Sequence, residues 1–79
     1  MSLNRVQNVI HNTFKVPMAE IKLQTGPENT ASWDSLGHLQ LVSALEEEFE
    51  IEFAMDQVEK MQNVEKILSV LKELGIESV

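Results

Sequence analysis

The 79-residue sequence has no cysteine, and that single absence removes a disulfide framework, a thiolate zinc site and a cysteine nucleophile. It also lacks a run of apolar residues long enough to cross a bilayer, and its N-terminus is not of the basic-then-apolar kind that marks a signal peptide. The expected setting is the cytoplasm, with no transmembrane segment. Basic side chains are scarce: six Lys and Arg stand against thirteen Asp and Glu, for a formal net charge of −7. This balance repels a phosphate backbone, so nucleic acid is not an expected partner and basic protein surfaces are favoured; it also keeps a small chain in solution. The two histidines, His11 and His38, fall on different predicted helices with no nucleophile-base or metal-ligand spacing around them, so a free-standing enzyme is not expected. Glu46, Glu47, Glu48, Glu50 and Glu52 lack the spaced ligands and central glycine of an EF-hand loop, and no metal site is expected. That acidic run reads either as a surface that steers a basic partner or as a solvated face.

What the chain does have is helical periodicity. At this length one domain, 1–79, with a single small core is expected. Leu3, Val6, Val9, Ile10 and Phe14 recur at steps of three and four, which predicts a first helix over about 3–14, closed off by Pro17. From 15 to 32 the pattern dissolves into a long loop rich in turn formers, notably Thr25-Gly26-Pro27-Glu28-Asn29-Thr30. Its apolar residues, Val16, Met18, Ile21, Leu23 and Trp33, are expected to pin it across the helices, with Trp33 either a packing anchor or a partner contact. A second helix over about 35–48 places Leu41, Val42, Leu45 and Phe49 on a core stripe. Leu36, Leu39, Gln40, Ser43 and Glu47 fall on another face, which is either a small docking patch or packing beneath the loop. Asp56 is expected to cap a short third helix running to about Met61, with Val58 and Met61 giving it an inner edge. Asn63 caps a last helix carrying Val64, Ile67, Leu68 and Leu71, with Gly75 as its stop and the tail 76–79 expected to fray. No strand pattern and no internal repeat is present, so the class is all-α.

The chain turns on Trp33-Asp34-Ser35-Leu36-Gly37-His38-Leu39, where loop gives way to helix. Asp34 is a favoured N-cap residue, which puts Ser35 in the first helical turn. A phosphate ester on that hydroxyl would lie near the positive end of the helix dipole and the spare N–H groups. The position suits such an attachment, and it suits plain capping equally.

Asp34-Ser35-Leu36 opening a helix, then Leu41-Val42-Ser43-Ala44-Leu45-Glu46-Glu47-Glu48-Phe49, then Asp56-Gln57-Val58-Glu59-Lys60-Met61 and Val64, together resemble the acyl carrier protein family over almost the whole chain. The resemblance implies a four-helix bundle with a long loop between helices one and two and a short third helix. It implies that Ser35, with Asp34 as its motif partner, receives 4′-phosphopantetheine from coenzyme A through a phosphopantetheinyl transferase. Acyl or aminoacyl groups would then ride as thioesters on the terminal thiol, so the missing cysteine is no obstacle. The arm would reach into a partner's active site or fold back so that an apolar chain shelters between the helices.

Implied partners are that transferase, an acyl- or aminoacyl-loading ligase, and synthase or acyltransferase enzymes. Leu36, Leu39, Glu47 and, from the third helix, Met61 are the implied contacts. The usual fatty-acid pattern has acids two and five residues after the serine, where this chain has Gly37 and Gln40, and a larger apolar residue where it has Ser43. The run Ser-Leu-Gly-His is more similar to carriers of specialised pathways (polyketide, nonribosomal peptide or surface polysaccharide), with fatty-acid synthesis beside them. His38 is read as a half-buried structural residue or a contact to phosphate or partner, and Gly37 as room for a partner's close approach. An unmodified interaction module of the same fold is the alternative, and a monomer is expected.

Overall fold

Apolar residues at three- and four-residue steps fold here as the periodicity predicts. The computed structural model describes residues 3–79, so the first two positions of the expected 1–79 domain lie outside the described residues. It contains α1 (Asn4–Phe14), α2 (Ser35–Phe49), α3 (Met55–Lys60) and α4 (Val64–Glu73), with a 3-10 turn at Met18–Glu20 and no strand among the described residues. One core is shared by Val6, Val9, Ile10 and Phe14 of α1, Leu41, Val42, Leu45 and Phe49 of α2, and Val64, Ile67, Val70 and Leu71 of α4. Ile21, Trp33 and Met61 complete it from the connections. The result is the four-helix bundle with a long first loop and a short third helix that the resemblance implied.

The long loop is a built part of the bundle. Thr25 is buried, its Oγ1 accepting from Lys22 N at 2.8 Å and donating to the Glu20 carbonyl at 3.4 Å. Asn29 Oδ1 accepts from Gly26 N at 2.9 Å. The loop then serves the N-terminus of α4, whose first N–H groups have no partner within the helix. Val64 N donates to the Thr25 carbonyl and Glu65 N to the Leu23 carbonyl, both at 3.0 Å, while Lys66 N donates to Asn63 Oδ1 at 2.8 Å. Of the apolar loop residues, Ile21 and Trp33 enter the core, Val16 and Met18 are half-buried, and Leu23 stays 41% exposed. Leu23 therefore contributes its backbone carbonyl and leaves its side chain in solvent.

Two expectations about termini are corrected. The third helix starts two residues earlier than a cap at Asp56 predicts: Ala54 is at the cap position, and because it has no accepting side chain the tie comes from Gln57, whose Oε1 accepts from Ala54 N at 2.8 Å. Asp56 lies instead in the first turn, where its charge favours the helix dipole. The tail 76–79 is anchored where fraying was expected. Gly75, at φ 83°, turns the chain so that Ile76 N donates to the Leu71 carbonyl at 2.9 Å and Gly75 N to the Lys72 carbonyl at 3.0 Å, a Schellman closure. Val6 N then donates to the Val79 carbonyl at 2.8 Å. Arg5 ties three segments together: Nε to Glu48 Oε2 at 2.9 Å, Nη2 to the Glu48 carbonyl at 3.0 Å and Nη1 to the Ser78 carbonyl at 3.0 Å, its guanidinium 4.3 Å from the Phe49 ring centroid.

The cap at Asn63 can be measured. Asn63→Ala is expected to cost about 1 kcal/mol by urea denaturation, and Asn63→Asp, which keeps an accepting oxygen, to recover most of it.

Candidate functional site

α2 begins where the loop's last residues are held most tightly. Asp34 has extended backbone angles, and its Oδ1 accepts from Gly37 N at 2.8 Å while its carbonyl accepts from His38 N at 2.7 Å. The cap is therefore Asp34. Ser35, the first helical residue, is exposed and has no capping duty. The N–H groups of Ser35 and Leu36 have no carbonyl one turn back within α2, so the serine hydroxyl sits among spare donors at the positive end of a 15-residue helix. This arrangement fits a phosphate ester on Ser35, with Asp34 fixing the turn that presents it.

Beneath the serine lies a junction of three helices. Trp33 is 1% exposed; its ring stacks on Phe14 of α1 at a centroid distance of 5.5 Å, and its Nε1–H donates to His38 Nδ1 at 2.8 Å. An indole nitrogen only donates, so Nδ1 presents its lone pair and the ring proton is on Nε2, which donates to the Val58 carbonyl of α3 at 2.8 Å. The two ring planes lie 17° apart. His38 is thus a half-buried structural bridge, and Trp33 is the packing anchor of its two readings.

Gly37 is explained by the same junction. A Cβ there would overlap the Ser32 carbonyl oxygen and lie 3.0 Å from Phe14 Cε1, so the close approach is by the chain's own loop and α1, and the expected room for a partner is corrected. Gly37 is buried.

The second face of α2 is open to solvent. Leu36 is 67% and Leu39 61% exposed, and Gln40, Ser43 and Glu47 lie exposed with them. Met61 is a correction: it follows the last residue of α3, its backbone leaves the helix, and its side chain is fully buried in the core, out of reach of any partner. The methionine that α3 does expose is Met55, 74% accessible in its first turn. Sequence reasoning missed it because it placed the cap at Asp56 and so left Met55 outside the helix.

The acidic run also divides. Glu46 Oε2 accepts from Phe53 N at 2.9 Å and Glu48 pairs with Arg5, whereas Glu47, Glu50 and Glu52 are exposed. No group of three or more acidic or histidine side chains is placed to hold a metal ion among the described residues. A shallow open depression of about 630 Å³ borders Ser35, lined by Pro27, Ala31, Trp33, Asp34, His38, Leu39 and Gln62.

The Gly37 contact gives a test of sign. An unobstructed Gly-to-Ala change within a helix stabilises by roughly 1 kcal/mol. Gly37→Ala is expected to do the opposite and lower the urea midpoint, because the obstructing Ser32 oxygen is backbone and cannot swing aside.

Comparison with known proteins bears on the same stretch. The family model described as the phosphopantetheine attachment site matches residues 4–71. The chain is similar to the acyl carrier protein of Clostridium acetobutylicum, 31% identical over 72 residues that make up 91% of this chain and 94% of that one. It is similar also to those of Campylobacter concisus (30% over 70 residues, 89% and 91%) and Trieres chinensis (28% over 71 residues, 90% and 89%). A family match across all four helices, joined to relatives alike over nine-tenths of their length, shows that the chain belongs to the acyl carrier protein family, whose cofactor is 4′-phosphopantetheine.

Proposed function

We propose that the chain carries acyl or aminoacyl groups as thioesters on a 4′-phosphopantetheine arm attached to Ser35 and presents them to partner enzymes, itself catalysing nothing. The observation that carries this reading is the exposed Ser35 hydroxyl at the first turn of α2, with Asp34 performing the capping that would otherwise occupy it. The bound group supplies the thiol that this cysteine-free chain lacks. In the transfer, the Ser35 Oγ–phosphorus bond would form as the pyrophosphate bond of coenzyme A breaks, with adenosine 3′,5′-bisphosphate leaving and the hydroxyl proton passing to a base of the transferase; the spare N–H groups of Ser35 and Leu36 would lie near the resulting negative charge. The junction of Trp33, Gly37 and His38 holds the start of α2, and with it the backbone of Ser35, where the arm would attach.

Leu36, Leu39 and Met55 are the apolar contacts offered to the transferase, to a loading ligase and to synthases or acyltransferases, with Glu47 as the charged contact beside them. Met55 joins this set because it is 74% exposed at the start of α3, and the bonds from His38 to the Val58 carbonyl and from Phe53 N to Glu46, which hold α3 and the connection before it against α2, support a shared contact surface. Gly37, Gln40 and Ser43 lower the charge and apolar area at the head of α2, which supports a specialised biosynthetic pathway over standard fatty-acid synthesis. The carrier works as a monomer.

Incubation with coenzyme A and a broad-specificity phosphopantetheinyl transferase is expected to add the mass of one phosphopantetheinyl group, and none to Ser35→Ala. No gain on folded protein with several such transferases overturns the carrier reading in favour of the unmodified interaction module. Leu36→Ser is expected to slow the loading step while moving stability by no more than about 0.5 kcal/mol, as for an exposed side chain with no buried partner.

A further inference from the structure

The ring of His38 is held at both nitrogens, and the two partners require opposite things of it. Trp33 Nε1–H, on a residue 1% exposed, donates to Nδ1 at 2.8 Å, so Nδ1 must keep its lone pair. The Val58 carbonyl lies 2.8 Å from Nε2 and only accepts, so Nε2 must keep its proton. Both conditions are met by the neutral ring alone. A second proton has one place to go, Nδ1, and there it sets an N–H against the indole N–H. The bond is then lost, and because a buried donor without an acceptor is costly, the indole or the imidazole has to move.

The other histidine makes the contrast. His11 Nδ1 lies 2.8 Å from the Val16 carbonyl, so that contact needs a proton on Nδ1 and survives a second at Nε2. His11 also stands in the last turn of α1, where the helix dipole favours positive charge. Around His38 the charged groups are Glu28 in the loop, Asp34 at the cap, and Asp56, Glu59 and Lys60 of α3, while α1 meets this corner with Phe14. All five are exposed and none bonds to the imidazole, so they act on it through solvent, where screening is strong.

What a proton would undo is the hold on α3. This helix has six residues, none of them fully buried, and so has little packing of its own to keep it in place. It is held to α2 by His38 at the Val58 carbonyl and, through the connection before it, by Glu46 Oε2 at Phe53 N, 2.9 Å away. An imidazole pushed off the indole takes the first of these with it.

We propose that His38 is a proton-sensitive positioning residue: the neutral ring joins Trp33 to α3 and keeps that helix, with its exposed Met55, in place against α2, and acidification releases it and weakens the engagement of partners that touch both helices. The effect on partners rests on the carrier reading; the tie itself does not.

The test titrates the full, unmodified chain by NMR from about pH 8 to about pH 5, the range in which histidine ordinarily changes charge. The Trp33 indole N–H and the backbone amides of 55–60 are expected to move along the titration curve of the His38 ring and not along that of His11. An indole N–H and α3 amides that hold still across the range overturn the proposal. Trp33→Phe keeps a ring in the core and removes the donor, so the α3 amides are expected to lose most of their response to pH; an undiminished response there overturns it too. The second measurement is the KM of a phosphopantetheinyl transferase for the chain over the same range, divided by its KM for His38→Asn, whose amide oxygen can accept from Trp33 and takes up no proton. The division removes the transferase's own titration, and Trp33→Phe is the reference if His38→Asn does not fold. The ratio is expected to rise about fivefold on acidification, as the loss of one net hydrogen bond would give, with the kcat ratio unchanged. A flat KM ratio overturns the proposal. Absence of any modification at neutral pH overturns the carrier reading instead, and the indole titration then decides the proton-sensitive tie by itself.

Discussion

The burial of Trp33 is the constraint on which the other features depend. An indole placed in a core brings a polar N–H with it, and that group must find an acceptor or the burial is penalised. Here the acceptor is His38 Nδ1, one helical turn into α2, so the last residue before the cap and the first turn of the helix are locked together. The ring's other side rests on Phe14, which fixes this corner against α1, and His38 passes the connection on to α3 through the Val58 carbonyl. Once these are in place the loop must arrive beside α2 at close range, and only a residue without Cβ at position 37 leaves room for the Ser32 carbonyl. Asp34 then has its carboxylate at the Gly37 N–H, and the side chain of Ser35 is turned to solvent.

A long loop in so small a domain is an entropic cost that must be offset by contacts. The loop offsets it by serving as backbone partner to α4: the Thr25 and Leu23 carbonyls take N–H groups that the helix start cannot satisfy itself, and Gly26 lets the two backbones meet, since a Cβ there would lie 2.5 Å from the Gln62 carbonyl oxygen. The tail does the corresponding service at the other end, where Arg5 and Val6 of α1 hold the Ser78 and Val79 carbonyls. The bundle is therefore closed by polar ties at both ends around an apolar middle.

Legibility in the sequence followed the kind of interaction involved. The four helices, the core stripe of α2 and the caps at Asp34 and Asn63 could be read because periodicity and capping are local, within one helical turn. Periodicity set Leu36 and Leu39 apart from the core stripe of α2 but left open whether the loop covers them, and the structure leaves both exposed. What escaped was non-local. Gly37 looked costly in a helix until Ser32 and Phe14 were placed against it; His38 had two readings until Val58 supplied its second partner; the tail looked free because nothing in its own residues announces Arg5, more than seventy positions away. The exchange of Met61 for Met55 has another cause. On a helix of six residues a start placed two residues late leaves Met55 out of the helix, and the cap that mattered was Gln57 reaching back to Ala54, a pattern without the usual accepting residue at the cap itself.

The acidic residues show how the fold divides charge between holding itself together and meeting others. Glu46 and Glu48 are consecutive neighbours of Glu47, yet one holds the Phe53 N–H and the other pairs with Arg5, so their carboxylates are committed within the bundle. Glu47 is left exposed to solvent. With Gly37 and Gln40 uncharged as well, the head of α2 presents leucine side chains around the serine and little negative charge until the helix's far end. On the proposed carrier reading, charge of that kind would raise the rate of encounter and set orientation at a distance, whereas apolar contacts at Leu36 and Leu39 would decide how long the encounter lasts. A carrier must be released after each delivery, and a patch of a few exposed apolar side chains on a rigid helix gives contact without the buried area that would make the complex permanent.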